Sequence, residues 1–204
     1  MRMRDLVLAV SILLVHTAPV AAQAWDAPAF FSPRPGDEIG AYVLDPPSGD
    51  LGAMVLWRQG GGIDLGVRLG IASGDDETRV FFGGEFFGSL FTAGGQFPLD
   101  VAWLVGAGAT LGDISLVRIP AGVSIGREVE LADVVILPYA FPRVGLDFHT
   151  SGDNTDTEFS VTVDLGFDLR ISGGWLLRFA VALGDHDALG AGVAYELGRR
   201  VTAR

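Results

Sequence analysis

In the stretch Phe159–Ile171 every second residue is apolar. Phe159, Val161, Val163, Leu165, Phe167, Leu169 and Ile171 share one face, and Glu158, Ser160, Thr162, Asp164, Gly166, Asp168 and Arg170 share the other. A helix scatters such residues around its circumference, whereas a strand sorts them cleanly. A tilted strand of about fourteen residues covers roughly 35 Å along a barrel axis, enough to cross a hydrocarbon layer. The alternation recurs over Ile63–Ile71, Leu99–Leu111, Trp175–Leu183 and Leu189–Leu197, with turn sequences such as RQGGG, SGDDE, AGGQFP and GDHD between them. Mean hydropathy is high at +0.39. Yet beyond residue 24 no apolar run approaches the ~20 residues of a spanning helix. A hydrophobic chain that alternates and lacks such a helix points to a membrane β-barrel.

Ten candidate strands follow: 38–44, 50–58, 62–72, 78–92, 98–112, 114–127, 133–149, 157–171, 174–184 and 188–198. The first two are short, so eight is the alternative. The expected fold is an all-β, up-and-down antiparallel transmembrane barrel over residues 37–198. The odd-numbered connections all carry aspartate, and the even-numbered ones are largely free of acid. In a meander these sets lie at opposite ends, which puts both termini at the end away from the acids.

A secreted, soluble calycin-like barrel would also alternate, with its apolar face inside. The polar face argues against it. That face is rich in glycine, which weakens a solvated strand but makes room in a crowded lumen. The other face is bulky and nearly free of charge, as lipid demands. Trp57, Trp103, Trp175 and Tyr195 are expected at the membrane interfaces.

Arg2 and Arg4, the apolar run Leu6–Val15 and the small residues Ala22 and Ala24 form the pattern of a secretory signal peptide. Cleavage after Ala24 is expected. Residues 25–36, WDAPAFFSPRPG, read as an extended periplasmic lead-in, and 199–204 as a C-terminal tail. The chain has no cysteine and no lysine, and its net charge of −11 argues against nucleic-acid binding.

The architecture resembles small bacterial outer-membrane β-barrel proteins of the outer-membrane protein A, outer-membrane protein X and opacity type. GAGVAYEL (Gly190–Leu197) looks like the closing-strand signal of such barrels. The resemblance implies an outer-membrane location, contact with lipid and lipopolysaccharide, and recognition by the barrel assembly machinery through Gly192, Tyr195 and Leu197. The chain departs from the pattern by continuing past the expected terminal aromatic.

The inward phase predicts a lumen holding Asp64, Glu85, Asp100, Asp147, Glu158, Asp164, Asp168 and Glu196 against Arg68, Arg79, Arg118, Arg143, Arg170 and Arg178. Charges in a narrow lumen are costly unless paired, and the arginine fork suits carboxylates. An ion-paired, closed lumen is the plainer expectation and a narrow channel the sharper one. The expected role is structural or interactive, without cofactor or turnover.

Asp147, His149 and Ser151 are the catalytic candidates. Asp-x-His and His-x-Ser pairs resemble those of omptin-type proteases and lipid A deacylases, where histidine acts as a general base. The plainer reading is that Asp147 and His149 cap a strand. His186 lies between Asp185 and Asp187, but the spacing fits no strong metal signature. Acids at the outer rim could bridge to lipid phosphates through Ca²⁺ or Mg²⁺. Pro120, Pro138 and Pro142 lack ladder donors. With a turn near Val129 and Glu130, Pro120 would face roughly Tyr139, and the prolines would mark one lateral seam between the sixth and seventh strands. Such a seam is the basis of a lipid-modifying or lipid-passing alternative.

Overall fold

The computed structural model describes residues 25–45, 51–60, 64–73, 78–95, 97–111, 115–131, 134–151 and 154–197. The predicted leader and the tail 199–204 lie outside them. Eleven strands form one antiparallel sheet: β1 (Glu38–Asp45), β2 (Leu51–Gln59), β3 (Leu65–Ser73), β4 (Thr78–Phe91), β5 (Asp100–Leu111), β6 (Ser115–Gly126), β7 (Val129–Leu131), β8 (Val134–Ser151), β9 (Asn154–Arg170), β10 (Trp175–Gly184) and β11 (Ala188–Glu196).

Each strand pairs with its sequence neighbour, except that β6 pairs with β8 past the three-residue β7. β1 pairs with β11, from Glu38↔Glu196 to Asp45↔Leu189. That ladder closes the sheet. β7 pairs with β8 in the register that β6 began, so it prolongs β6 after a two-residue break, and the wall has ten strands. The eight-strand alternative is therefore excluded: β1 and β2 are short, but they are full members of the wall.

Residue by residue, the wall turns its apolar side outward. Along β1 burial alternates strictly, with Glu38, Tyr42 and Leu44 inside and Ile39 and Val43 outside. On β9, Ser160, Thr162, Asp164 and Asp168 are buried while Phe159, Val161, Leu165 and Phe167 face out; Phe159 is 59% exposed. Leu69 on β3 is 58% exposed. Leaving one such side chain in water costs about 1.5–3 kcal/mol. A band of them around every wall strand suits hydrocarbon and excludes the soluble calycin-like alternative. This is a closed transmembrane β-barrel.

The four aromatics expected at an interface share one end. Tyr195 pairs with Trp175 on one side and Ile39 on the other, and Ile39 pairs with Trp57. Trp175 and Tyr195 meet edge to face at 5.2 Å. Trp103 lies near the start of β5, at the same end. This is also the end where the chain enters β1 and leaves β11.

Leu165 sits near the middle of the outward face of β9. Replacing it by arginine is expected to remove about 2–4 kcal/mol of stability in a bilayer. Urea unfolding in phospholipid vesicles measures it, and a change within 0.5 kcal/mol, the usual bound for surface substitutions, would contradict a lipid-facing Leu165.

Candidate functional site

The distinctive site is the lumen, and it is filled. Residues Trp25–Ser32 are buried inside the ring rather than extended beyond it. This corrects the expectation of a periplasmic lead-in. The physical reason is the composition of WDAPAFF: Trp25, Phe30 and Phe31 gain more by entering a partly apolar lumen than by lying in water. The segment runs the length of the barrel. Asp26 meets His186 in the β10–β11 connection, while Arg34 meets Asp100 at the start of β5 and Glu128 just beyond β6.

The wall supplies five buried arginines among the described residues: Arg58, Arg68, Arg118, Arg143 and Arg178. Arg58 contacts Glu38 at 2.9 Å and Glu85 at 2.5 Å, and Arg68 shares Glu85 at 2.5 Å. Arg178 bridges Glu38 at 2.6 Å and Asp168 at 2.9 Å, and donates to the Tyr42 hydroxyl at 3.1 Å. Arg143 pairs with Asp164 at 3.1 Å. Arg118 grips both oxygens of Asp147, binds Asp26, and lies 2.6 Å from His186 Nε2. Burying a charge without such partners costs several kcal/mol, so the pairings are a condition of the fold.

The segment is held mainly by its backbone. Arg143 donates to the carbonyls of Trp25 (2.5 Å) and Ala27 (3.4 Å). Arg58 donates to those of Ala29 (3.0 Å) and Phe30 (2.7 Å), and Arg68 to that of Ala29 (3.3 Å). The Ala29 N–H donates to Asp164 at 2.7 Å, and the Ser124 hydroxyl donates to the Phe31 carbonyl at 2.7 Å.

Three aromatic side chains anchor the rest. Trp25 lies beneath the Arg68 guanidinium at 3.5 Å, a close cation–π contact. A Cβ at Gly106 or Gly108 would come within 2.4 or 2.8 Å of its ring, so these glycines shape its pocket. Phe30 stacks on Tyr42 at 4.1 Å, and Phe31 meets Phe141 at 5.4 Å. The two phenylalanines reach different walls because Phe30 has φ = 48°. A left-handed backbone at a non-glycine residue costs about 1–2 kcal/mol, tolerated where the surroundings hold it.

The predicted lumen residues divide by height. Glu85, Arg68, Arg118, Arg143, Asp164, Asp168 and Arg178 lie in the buried pairs above, with Asp147. Asp100, Arg170 and Glu196 lie lower, at the end where the termini meet: Arg170 contacts Glu128 at 3.0 Å and Glu196 at 3.1 Å. Asp64 sits beside Gly60 at that same end. Arg79 is half-buried near the other end of β4, opposite Ala72. Glu158 stands exposed beyond the rim, 3.9 Å from His149. Sequence reasoning missed Glu38, Arg58, Tyr42 and Asp26. The first three share the inward phase of the short strands β1 and β2, which was the available signal.

Asp147 and His149 engage different partners. Both oxygens of Asp147 are taken by Arg118. His149 lies further out on the same strand, and Ser151 ends β8 opposite Asn154.

The prolines do not share a seam. Pro120 pairs with Gly145, not Tyr139. The β5–β6 ladder skips from Val105↔Ala121 to Gly108↔Arg118, so the break beside Pro120 falls on the β5 side. The β6–β8 ladder skips from Gly122↔Arg143 to Ile125↔Ala140, beside Pro142. Pro138 lies past the end of β6 and keeps its pairing with Phe167. The expected register was six residues off because Arg127–Leu131 extends the connection and moves its centre toward β8.

Glu85→Ala would strip two buried arginines of their common acceptor. The expected loss is about 3–5 kcal/mol, read as a lowered urea midpoint in vesicles, whereas the exposed Glu158→Gln is expected to stay within about 0.5 kcal/mol.

No protein-family model and no curated protein sequence matches this chain. Solved structures similar to it include a chain from "De novo design of transmembrane beta-barrels" (15% identity, TM-score 0.39, covering 82% of this chain and 100% of the other). KdgM porin has 11% identity and a TM-score of 0.36, covering 78% and 99%. The Acinetobacter baumannii outer membrane protein Omp33 has 10% identity and a TM-score of 0.33, covering 79% and 98%.

Proposed function

We propose that the chain is an integral protein of a bacterial outer membrane, exported through a cleaved leader, whose resting barrel is closed to solutes. Its role is structural or interactive within the envelope. The observation that carries this reading is the occupied lumen: Trp25–Ser32 lie buried along the axis, bound by Arg58, Arg68 and Arg143. Ten wall strands enclose too little space for that segment and a wide aqueous channel together.

The aromatic belt and the meeting of β1 with β11 support a periplasmic position for the end where the termini meet. The opposite end, with Asp185 and Asp187, then faces outward toward lipopolysaccharide, where bridging through divalent cations suits carboxylate ligands. Tyr195 on β11 and Leu197 just after it point outward, and Gly192 lies against the Tyr42 ring. That arrangement suits recognition of the last strand by the assembly machinery. The reading assigns no chemical turnover to the chain.

In planar lipid bilayers the purified full-length protein is expected to give no resolvable unitary current. Steady steps from the unmodified chain would overturn the closed reading. Cells carrying His149→Ala are expected to show unchanged lipid A acylation by mass spectrometry, and loss of an acyl modification would make the protein an enzyme.

A further inference from the structure

The wall of the lumen is complete without the segment that fills it. Each buried wall arginine has a carboxylate partner on another wall strand: Glu38 and Glu85 for Arg58, Glu85 for Arg68, Glu38 and Asp168 for Arg178, Asp164 for Arg143, Asp147 for Arg118. The ring closes through β1 and β11 with no bond from the segment. A permanently dry interior is held at least as well by apolar residues as by paired charges. Paired charges carry a smaller desolvation penalty on a wall that water can reach.

The bonds that hold the segment have a direction. Five N–H groups of Arg58, Arg68 and Arg143 donate to four of its backbone carbonyls. Were the segment to withdraw, these five donors would turn to the open lumen against two carboxylate oxygens, the Asp164 oxygen that now accepts from Ala29 and Asp168 Oδ1, while the other wall carboxylate contacts with guanidinium groups would stay. The space left behind offers hydrogen-bond donors to an oxygen-bearing anion and few free acceptors to a cation.

The segment is also incompletely satisfied. Trp25 Nε1 and Asp26 Oδ2 are buried with no hydrogen-bond partner among the described residues, a condition they share with barrel atoms such as the Tyr139 hydroxyl and Asp168 Oδ1. At its other end, Gly36 has open space where a Cβ would stand. It follows Pro33 and Pro35 and lies just before β1.

We propose that Trp25–Pro35 is a displaceable plug, and that with the plug withdrawn toward β1 the barrel is a narrow pore that prefers small oxyanions. This rests on the closed resting state and adds an activity to it.

The test uses the full-length chain with Phe30→Ala and Phe31→Ala together, which removes two anchors and leaves every wall charge in place. In planar bilayers under a potassium formate gradient, the wild type is expected to be silent. The double variant is expected to give unitary steps with a reversal potential displaced toward that of formate. A double variant that folds, judged by heat-modifiable gel mobility, yet stays silent or favours potassium overturns the proposal.

A second measurement does not depend on that variant folding. Because the chain has no cysteine, Ala29→Cys in the otherwise native protein reports access to the lumen. Labelling by a membrane-impermeant anionic methanethiosulfonate is expected over minutes to hours, and at least tenfold faster when the two alanines are added. Complete protection in the folded protein, with full labelling once unfolded, overturns the plug. A conducting wild type instead sinks the closed resting state, so the two failures are distinct.

Discussion

A backbone N–H or C=O left unpaired in hydrocarbon costs several kcal/mol, and a sheet with two free edges would expose a row of each. The ladder between β1 and β11 removes both edges at once. Much else in the molecule follows from that closure. A closed ring of alternating strands must send half of its side chains inward, and ten strands leave room for little more than those side chains. What the inward residues are, and what they do with one another, becomes the central question of the structure.

The answer is a lumen with two characters. Charged clusters run from Glu38 and Arg58 to Arg118 and Asp147. Beside them lies an apolar surface formed by Tyr42, Leu44, Met54, Leu56, Phe81, Phe87, Leu104 and Phe141. The segment Trp25–Ser32 matches both. Its carbonyls accept from arginines, and its aromatic rings cover the apolar surface. The arginine–carboxylate pairs join strands that are not always neighbours; Arg58 on β2 reaches Glu85 on β4, and Arg178 on β10 reaches Glu38 on β1. Such pairs tie the wall across its interior as well as along its ladders.

The wall was legible in the sequence because lipid imposes a strict period of two and tolerates few exceptions. Strand order, the count of ten, and the inward phase of Glu85, Asp164, Asp168 and Arg178 all follow from that rule. The plug was not legible, for a physical reason. It has no period, and its contacts with the wall run largely through main-chain carbonyls, which every residue possesses. Only the three aromatics among its first seven residues set it apart from a linker. Register was legible where a connection is tight and obscure where it is not. Arg127–Leu131 contains a break and a three-residue strand, and a six-residue error there moved Pro120 away from its true partner, Gly145. Spacing along one strand likewise cannot reveal that Arg118, on the adjacent strand, holds the Asp147 carboxylate.

The closing ladder joins the first strand of the wall to the last. Loop-closure entropy rises only slowly with the length of the loop, so the distance in sequence is a small thermodynamic burden. Its kinetic meaning is larger. Its pairs join the two wall strands farthest apart in sequence, and an open stage of the wall carries raw edges into the bilayer. The barrel therefore forms and melts as one cooperative unit, and a fragment ending before β11 has no stable home in lipid.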